Sequence, residues 1–321
     1  MEPVNILIVK MSSLGDVVQT MPVVHDLMCQ FPQAKVDWVV EEAFAPLVQR
    51  LNGVQRVLPV AQRRWRKSRW NTATRNERRQ FDRGLQAEAY DAVIDFQGLI
   101  KSALQARSAR LKPGGFNATY GNASDACGYE WPVKLLLQRG LPMPRRIHAV
   151  ARYRLLAGMA LGYQPEGAAV YSLHKPSATA APGVVFAHGT TRADNEWPEE
   201  RWIELGLRLR AQGLRIGLPQ CNDAELQRVQ RIAAPLGDAA DIWPRMPLPA
   251  VMDRMATSAG VIGVDSGLSH MAVALDLPHV QIFSQPRAWR AGPVGRRHQV
   301  AVGGECAPDS DAVWKAWAAV Q

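Results

Sequence analysis

Residues 5–24 read NILIVKMSSLGDVVQTMPVV, and two apolar patterns of different period meet inside this stretch. The opening NILIV is almost entirely apolar, which is typical of a strand buried on both faces of a parallel sheet. After MSSLGD, the residues Val17, Met21 and Val24 recur at helical spacing and predict an amphipathic helix. Because a strand that leads into a helix is the first half of a βαβ unit, this stretch predicts an α/β fold with a parallel sheet.

The same alternation of strand-like and helix-like segments runs through the whole chain. The further strand-like segments are KVDWVV, RVLPVA and AVIDFQ in the first half and VVFAHG, LRIGLP, GVIGVD and HVQIFS in the second. Residues 162–183, rich in Pro, Gly and Ala, indicate a linker between the halves, and the aperiodic residues 112–130 predict a loop. We therefore predict two Rossmann-like domains, residues 1–165 and 166–321, facing each other across a cleft, with the C-terminal helix able to pack back on the first.

The composition limits the class of protein. A chain of 321 residues, 47% of them hydrophobic, can bury the cores of two domains of ordinary size. No apolar segment approaches the roughly 18 residues that a membrane helix needs, and the N-terminus lacks the features of a secretion signal. The cysteines, Cys29, Cys127, Cys221 and Cys306, lie far apart and indicate neither a zinc motif nor a disulfide framework. We therefore expect a cytoplasmic protein with reduced thiols.

Positive charge is concentrated in one stretch of the chain. The net charge is +9, and residues 62–83 carry nine Arg or Lys residues against two acidic ones. With Trp65 and Trp70 interleaved, the stretch suits nucleic acid, an anionic membrane surface or a phosphorylated substrate; the alternative is a solvated helix face. Too few acids stand at i,i+4 to neutralise it, and no nucleic-acid-binding module is recognisable. We therefore expect an anionic partner other than nucleic acid.

The hexapeptide MSSLGD follows the first predicted strand, at the end of a parallel strand where ligands collect. Gly15 permits a tight turn there, and Asp16 stands at the start of the helix. Asp16 has two interpretations, a carboxylate that caps the free N–H groups of the helix or a functional group. Since neither G-x-G-x-x-G nor G-x-x-x-x-G-K-[ST] occurs in the sequence, neither an NAD site nor a P-loop is predicted.

A second strand-to-helix junction lies in GVIGVDSGLSHMAVALDLP, residues 260–278. Asp265 ends the strand, and Ser266 and Gly267 lead into a helix whose first turn contains His270. A helix N-terminus that a glycine leaves open offers N–H groups and a positive dipole end to phosphate oxygens. Ser266 alone would be an ordinary helix cap, and a lone His is usually structural. Together these residues predict a phosphate or nucleotide site.

A third junction, AHGTTRADNEWPEERW, follows the first strand of the second half. Thr190, Thr191 and Arg192 present two hydroxyls and a guanidinium, which suit a diphosphate. The alternative is an ordinary turn, in which Pro198 begins a helix with acidic residues in its first turn. The segment is therefore a candidate for part of the same nucleotide site.

Six blocks of the sequence together resemble one family: VKMSSLGDVVQTMP, DWVVEEAFAPL, RRWRKSRW, DFQGLIKSAL, HGTTRADNEWPEERW and VDSGLSHMAVAL. They occur in order over about residues 5–276, and the family is glycosyltransferase family 9, the lipopolysaccharide heptosyltransferases. The resemblance implies the GT-B fold, which consists of two Rossmann-like domains. It also implies the transfer of L-glycero-D-manno-heptose from ADP-heptose to the Kdo of Kdo2-lipid A, with inversion and without a metal or other cofactor.

The resemblance also implies roles for individual residues. Asp16 matches the general base of the S-S-x-G-D motif, which takes the proton of the acceptor hydroxyl. The first domain is then expected to bind the acceptor through Ser12, Ser13, Gly15, Arg63, Arg64 and Lys67. The second is expected to bind ADP-heptose through Thr190, Thr191, Arg192, Asn195, Glu225, Asp265, Ser266, Gly267, Leu268 and His270. We expect a monomer, peripheral on the cytoplasmic face of the inner membrane, where the anionic Kdo-lipid A lies.

Two segments depart from the family pattern. Asn195 stands where the family usually carries a Lys near the donor phosphates, so one positive charge is missing unless Arg192 takes its place. Residues 284–293 read SQPRAWRAGP where the family commonly has a G-x-T-D-P-like turn. These departures leave an alternative function open, a catalytically weak or inactive nucleotide-sugar-binding protein. The presence of Asp16 favours the enzyme, because a pure binding protein needs no base.

A D-x-D pair near the C-terminus, Asp309 and Asp311, raises the possibility of a metal site. Metal-dependent glycosyltransferases of another fold hold a nucleotide diphosphate with such carboxylates. The alternative is that both carboxylates lie at the start of the last helix, AVWKAWAAV, where they complement the helix dipole. We favour the helix start and expect no metal.

Overall fold

Two six-stranded sheets, each with its strands parallel, organise the chain. The computed structural model describes residues 4–68, 70–125, 128–174, 181–294 and 296–321. The chain divides into two compact units, Met1–His174 and Lys175–Gln321, and each unit contains one of the sheets. The α/β fold class with two Rossmann-like units, predicted from the alternation of strands and helices, is confirmed.

The first unit has the strand order of a Rossmann fold. Its strands are β1 (Asn5–Val9), β2 (Lys35–Glu41), β3 (Val54–Val60), β4 (Ala89–Asp95), β5 (Arg110–Tyr120) and β6 (Arg139–Leu141). Its helices are α1 (Leu14–Thr20), α2 (Pro22–Gln30), α3 (Ala45–Val48), α4 (Gln62–Lys67), α5 (Thr72–Gln86), α6 (Ile100–Ser108), α7 (Val133–Leu136) and α8 (Ala149–Leu161). The order β3-β2-β1-β4-β5-β6 reverses direction between β1 and β4, the switch point at which such sheets bind ligands.

The second unit repeats this arrangement. Its strands are β7 (Ala181–Ala187), β8 (Arg215–Leu218), β9 (Ala240–Ile242), β10 (Ser258–Val264), β11 (His279–Phe283) and β12 (Gln299–Gly303). Its helices are α9 (Glu199–Ala211), α10 (Asp223–Ala233), α11 (Leu248–Ala256), α12 (Gly267–Ala274), α13 (Ala288–Ala291) and α14 (Ser310–Val320), and short 3₁₀ helices occur in both units. The order β9-β8-β7-β10-β11-β12 places the second switch point between β7 and β10.

Strand β1 shows why the apolar run at the N-terminus forms the centre of a sheet. Its residues Ile6, Leu7, Ile8 and Val9 are all 0% exposed, so both faces of the strand are covered. A strand buried on both faces needs apolar side chains on both, which explains the continuous rather than alternating pattern. The strand pairs with β2 on one side and β4 on the other. The loop that follows β1 is therefore held at the middle of the carboxyl edge.

The predicted loop over residues 112–130 is partly wrong, because residues 110–120 form β5. The pairing of β4 with β5 shifts register between Tyr90 and Ala92, so the residues around Gly114 bulge out of the ladder. Gly114 has a φ of +80°, in the left-handed region that favours glycine. A bulge with two glycines interrupts the strand pattern locally, which explains why no periodicity is visible there.

The predicted linker, residues 162–183, belongs partly to the first unit. Arg154 on α8 donates to the carbonyl oxygens of Glu166 and Gly167 and forms a bidentate ion pair with Asp26 on α2, with contacts of 2.7 and 2.9 Å. Leu173 pairs with Leu51 in an isolated bridge. These contacts explain why the units divide after residue 174 rather than at the predicted 165; residues 175–180 of the linker lie outside the described residues.

The C-terminal helix α14 contributes to the core of the second unit. Val313 and Trp317 are 0% and 2% exposed and pack with Trp202 and Ile282. Packing of this helix on the first unit stays a prediction. Within the described ranges, no helix has both the length and the apolar character needed to cross a membrane. Cys29, Cys221 and Cys306 are free thiols, and Cys127 lies outside the described residues.

Candidate functional site

The loop from β1 to α1 carries the predicted base. Asp16 is the third residue of α1, and Ser13 is the N-cap of that helix. Asp16 Oδ2 accepts hydrogen bonds from the backbone N–H of Ser13 at 3.0 Å and from its hydroxyl at 2.9 Å. The carboxylate therefore satisfies one free N–H at the helix start, as the capping interpretation requires. Gly15 lies within the helix, so the tight turn predicted at this glycine is wrong.

The other oxygen of Asp16 faces groups from two further elements. Tyr153 on α8 donates its hydroxyl to Asp16 Oδ1 at 2.9 Å, and Lys10 Nζ lies 3.9 Å from the same oxygen. Lys10 Nζ also lies 4.9 Å from the centroid of the Tyr153 ring. Burial raises the pKa of Asp16, but the Lys10 charge and the hydrogen bonds from Ser13 and Tyr153 outweigh burial and lower the pKa to about 2. Asp16 is therefore ionised at neutral pH and able to accept a proton.

We expect Tyr153→Phe to raise the pKa of Asp16. The substitution removes the hydroxyl donor and keeps the ring, and a hydrogen bond to a charged group corresponds to about one pKa unit or more. The pKa of Asp16 can be followed by ¹³C NMR of labelled aspartate carboxyls, with Asp16→Asn used to assign the signal. In the wild type the signal should keep its ionised position down to about pH 4, whereas in Tyr153→Phe it should begin to move about one unit higher. Identical titration in the two proteins would contradict the assignment of Tyr153 as a donor to Asp16.

The β4–α6 loop supports the β1–α1 loop at the switch point. Gln97 Oε1 accepts the N–H groups of Met11 at 2.9 Å and Ser12 at 3.2 Å, and Gln97 Nε2 donates to Ser12 Oγ. Asp95 holds this second loop by accepting the N–H groups of Gln97 and Gly98. Complete burial raises the pKa of Asp95 to about 6, although these hydrogen bonds act against the shift. The predicted residues Ser12 and Ser13 thus lie in a loop that buried side chains fix in place.

A basic cavity of about 520 Å³ opens beside Ser12 at the carboxyl edge of the first sheet. It is lined by Met11, Ser12, Glu41, Gln62, Arg63, Arg66, Lys67 and Lys101. No ion pair to another described residue neutralises its four cations. Arg63 and Lys67 were predicted to bind an anionic acceptor. Arg66 was predicted only as one of the cations of the basic stretch and Lys101 was not predicted, and the cavity brings both together with the others.

Arg64 has a different environment, and the expectation that its charge is uncompensated is wrong. Its guanidinium forms ion pairs with Glu42 at 3.0 Å and Glu77 at 2.7 Å. These acids lie 22 and 13 residues away along the chain, so spacing within one helix does not reveal them. The Trp65 side chain is also engaged within the protein, because it is buried in the core and its Nε1 donates a hydrogen bond to Glu77. Trp70, in contrast, is 75% exposed.

In the second unit, Asp265 lies directly after β10 and is the centre of the second candidate site. Thr190 Oγ1 donates to its backbone oxygen at 3.2 Å, and Asn195 Nδ2 donates to its Oδ2 at 3.2 Å. His270 Nε2 lies 3.3 Å from its Oδ1. Burial raises the pKa of Asp265, but the contact with His270 and nearby arginine charges outweigh burial and lower it. These residues come from the segment after β7, from the residue that follows β10 and from α12, so the structure gathers them at the second switch point.

The N-terminus of α12 lies at the same point. Ser266 is its N-cap, and the Ser266 hydroxyl accepts the N–H of Ser269 at 3.4 Å. Gly267 and Leu268 form the first turn. The capping role that the sequence allowed for Ser266 is therefore present, and the helix presents its positive dipole end to the switch point.

Glu225 reaches this edge from α10, the helix that follows the neighbouring strand β8. It is the third residue of α10, and its Oε2 accepts the N–H of Cys221 at 2.8 Å. A Cβ built on Gly189 would lie only 3.0 Å from Glu225 Oε1. The absence of a side chain at Gly189 thus lets the Glu225 carboxylate approach the loop after β7, which also carries Thr190.

The cation beside Asn195 comes from an unexpected segment. The Arg192 guanidinium donates from Nε and Nη2 to Asp194 at 3.0 and 2.9 Å, so it is directed at that carboxylate and not at Asn195. Thr191 is exposed in the same loop. Arg287, in the SQPRAWRAGP segment, donates instead to Asn195 Oδ1 at 3.1 Å. Sequence reasoning missed Arg287, although its segment was recognised as a departure from the family pattern.

The D-x-D pair is used at the start of the last helix. Asp309 Oδ1 accepts the N–H of Ala312 at 2.8 Å as the N-cap of α14, and Asp311 forms an ion pair with Arg208. Among the residues that the structure describes, no group of three or more His, Cys, Asp and Glu side chains is arranged to hold a metal ion.

A family model and two curated relatives identify the family of this chain. Residues 78–315 match the family model of glycosyltransferase family 9 (heptosyltransferase). The lipopolysaccharide heptosyltransferase 1 of Pseudomonas aeruginosa is 39% identical over 311 residues, covering 95% of this chain and 85% of that protein. The same enzyme of Escherichia coli K12 is 38% identical over 308 residues, with 92% of each covered.

Solved structures give the same result. The E. coli heptosyltransferase WaaC with ADP superposes with a TM-score of 0.86 at 36% identity, covering 97% of this chain and 98% of that one. The structure of WaaC with ADP-2-deoxy-2-fluoro heptose gives a TM-score of 0.80 at 35% identity, with the same coverage. The two Rossmann-like units are thus those of the GT-B class of glycosyltransferases. The chain belongs to glycosyltransferase family 9.

Proposed function

We propose that the protein is an inverting heptosyltransferase that transfers L-glycero-D-manno-heptose from ADP-heptose to the Kdo of Kdo2-lipid A in the lipopolysaccharide inner core. The observation that carries the proposal is the likeness to WaaC solved with ADP, at a TM-score of 0.86 and 36% identity. This likeness extends over 97% of the chain and 98% of WaaC.

Asp16 is the general base in this proposal. Its Oδ2 accepts two hydrogen bonds and its Oδ1 accepts one, whereas each carboxylate oxygen has about two acceptor sites. Oδ1 therefore keeps a site for the acceptor hydroxyl. The acceptor oxygen forms a bond to the anomeric carbon of the heptose, while the bond from that carbon to the diphosphate oxygen breaks. The electron pair of that bond leaves with ADP, and the hydroxyl proton passes to Asp16.

The second unit binds the donor in this proposal. Thr190 and Asn195 are hydrogen-bonded to Asp265, and the N-terminus of α12 lies beside them. N–H groups at a helix N-terminus and arginine side chains can stabilise the negative charge of the leaving ADP, so we propose a reaction that needs no metal. The role of Asp309 as an N-cap supports the same view.

The basic cavity of the first unit is the proposed acceptor site. Kdo carries a carboxylate and lipid A carries phosphates, and the cavity offers four cations to such anions. An acceptor anchored in a bilayer requires the enzyme to work at a membrane surface. We therefore propose a peripheral position on the cytoplasmic face of the inner membrane, and the monomeric state stays a prediction.

Replacing Arg63, Arg66 and Lys67 together by Ala should raise the KM for the acceptor and flatten its dependence on salt. Each exposed contact contributes only about 0.2–1 kcal/mol, but three contacts to one multiply charged ligand add up to roughly a tenfold change. Steady-state kinetics between 0.01 and 0.1 M salt test this, because the Debye length falls from about 30 to about 10 Å over that range. Arg79, Arg83 and Arg107, exposed and outside the cavity, provide a triple variant of equal charge as the control. An unchanged acceptor KM in the first variant, or an equal rise in the control, would show that the cavity does not bind the acceptor.

The function itself is tested by incubating the protein with ADP-heptose and Kdo2-lipid A and measuring the mass of the lipid. We expect a gain of one heptose, release of ADP and the same rate in excess EDTA. Binding of ADP without any mass gain would favour the alternative, a nucleotide-sugar-binding protein without turnover. Activity that EDTA abolishes and Mg²⁺ or Mn²⁺ restores would overturn the metal-independent reaction.

A further inference from the structure

Arg287 lies at the start of α13, next to the switch point of the second sheet. Its Nη1 donates to Asn195 Oδ1 at 3.1 Å, and its Nη2 donates to Asp194 Oδ2 at 2.9 Å. The Asn195 amide in turn donates through Nδ2 to Asp265 Oδ2 at 3.2 Å. Asn195 is 4% exposed, so it forms a buried link between Arg287 and Asp265.

The Asp194 carboxylate beside this link is shared by two guanidinium groups. Arg192 and Arg287 both pair with Asp194, so two cations face one anion. Hydrogen bonds from Arg192 and Arg287 lower the pKa of Asp194, which keeps this carboxylate ionised. The Arg287 side chain is 25% exposed and that of Arg192 is 52% exposed. The side chain of Arg287 is therefore less exposed to water than that of Arg192, so water and salt screen its charge less.

The guanidinium of Arg287 still has donors to offer. An arginine carries five N–H groups in a planar fork that matches the oxygens of a phosphate. Its contacts with other described residues, to Asn195 and Asp194, use one N–H on each of two nitrogens. The charges of His270, Arg290 and Arg287 lower the pKa of Asp265, in keeping with the link from Arg287 through Asn195 to this carboxylate.

We propose that Arg287 binds the diphosphate of the nucleotide sugar and stabilises the charge that collects there as the bond to the sugar breaks, with Asn195 as its positioning residue. This inference rests on the proposed function, since it names a residue of the same donor site. A neutral amide at position 195 brings no positive charge, and the segment after β11 supplies it instead. In the sequence, Asn195 and the segment SQPRAWRAGP look like two separate losses of the family pattern. In this proposal they form one arrangement, in which Asn195 positions Arg287.

The test compares nucleotide binding of the wild type with that of Arg287→Ala by calorimetry. A charge-assisted contact of about 1.5–3 kcal/mol corresponds to a tenfold to hundredfold loss of ADP affinity. Adenosine has no phosphate, so its affinity should stay unchanged, which a general structural disturbance would not allow. Arg287→Lys should keep part of the ADP affinity. Arg231→Ala, which removes an exposed arginine paired with Glu199 in the same unit, is the matched control and should bind both ligands like the wild type.

A second variant pair tests the link with Asn195. In the Arg287→Ala background, Asn195→Lys places a cation at the other end of the lost contact. This double variant should bind ADP within about threefold of the wild type. The effects of the two substitutions would then be strongly non-additive. The inference would be overturned if this rescue failed and Arg287→Ala lost as much affinity for adenosine as for ADP. It would also be overturned if Arg192→Ala lost much of the ADP affinity and Arg287→Ala lost none.

The same experiments separate this inference from the proposed function. A wild-type protein that binds ADP through Arg287 but adds no heptose to Kdo2-lipid A would support the inference and refute the heptosyltransferase. A wild type that adds heptose while Arg287→Ala keeps its full ADP affinity and turnover would do the reverse.

Discussion

Asp16→Asn should lower kcat by about 100-fold or more and leave the affinity for ADP within about twofold, the pattern expected for the loss of a general base. An amide has almost the shape of the carboxylate, but it does not take up the acceptor proton at neutral pH. Single-turnover rates measure the chemical step, and calorimetry with ADP measures the donor site separately. Asp82→Asn, an exposed aspartate on α5, should keep the wild-type rate.

The capping role of Asp16 needs a separate measurement. Its carboxylate accepts the N–H and hydroxyl of Ser13, so the asparagine variant should also lose stability, by about 0.5–2 kcal/mol. The free energy of unfolding reports this contribution, and kcat at a temperature where both proteins are folded reports the base. A variant that loses stability but keeps its turnover would show that Asp16 is only a helix-capping residue.

Arg154→Met should lower the free energy of unfolding by about 3–5 kcal/mol, the usual effect of removing one partner from a buried ion pair. Arg154 and Asp26 are 8% and 7% exposed, so the variant leaves a carboxylate without its cation in the interior. It also removes the donors to the carbonyl oxygens of Glu166 and Gly167, which hold the segment after α8. Urea unfolding at neutral pH measures the loss.

Two further variants make this result specific. Asp26→Leu combined with Arg154→Met removes both charges and should be clearly less destabilised than Arg154→Met alone. Arg208→Met breaks an ion pair in which Asp311 is 65% exposed, so its effect should stay below about 1 kcal/mol. Equal losses for Arg154→Met and Arg208→Met would contradict the importance of burial.

Local sequence patterns predicted the features that depend on neighbouring residues. The apolar run of β1, the helical spacing after it and the position of Asp16 at their junction all lie within 20 residues. The same holds for Asp265, Ser266 and the start of α12. In a parallel sheet these junctions share the carboxyl edge, so a short-range pattern was enough to indicate two candidate sites.

The features that the sequence did not reveal depend on distant residues. Tyr153 contacts Asp16 from 137 residues away, and Arg287 contacts Asn195 from 92 residues away. The partners of Arg64 come from the 3₁₀ helix after β2 and from α5, outside its own helix, so counting acids at helical spacing overestimated the free charge. In β5 a register shift interrupts the strand pattern. Each of these features arises from contacts between segments that are distant in the sequence. The periodicity within a single segment does not indicate such contacts.

The matching strand order of the two units has a consequence for how this enzyme family can diversify. The groups around Asp16 and the basic cavity come from the first sheet, and those around Asp265 come from the second. In the proposed assignment, substitutions in α4 or in the loop after β4 would alter which glycolipid is recognised without touching a residue proposed to hold the nucleotide.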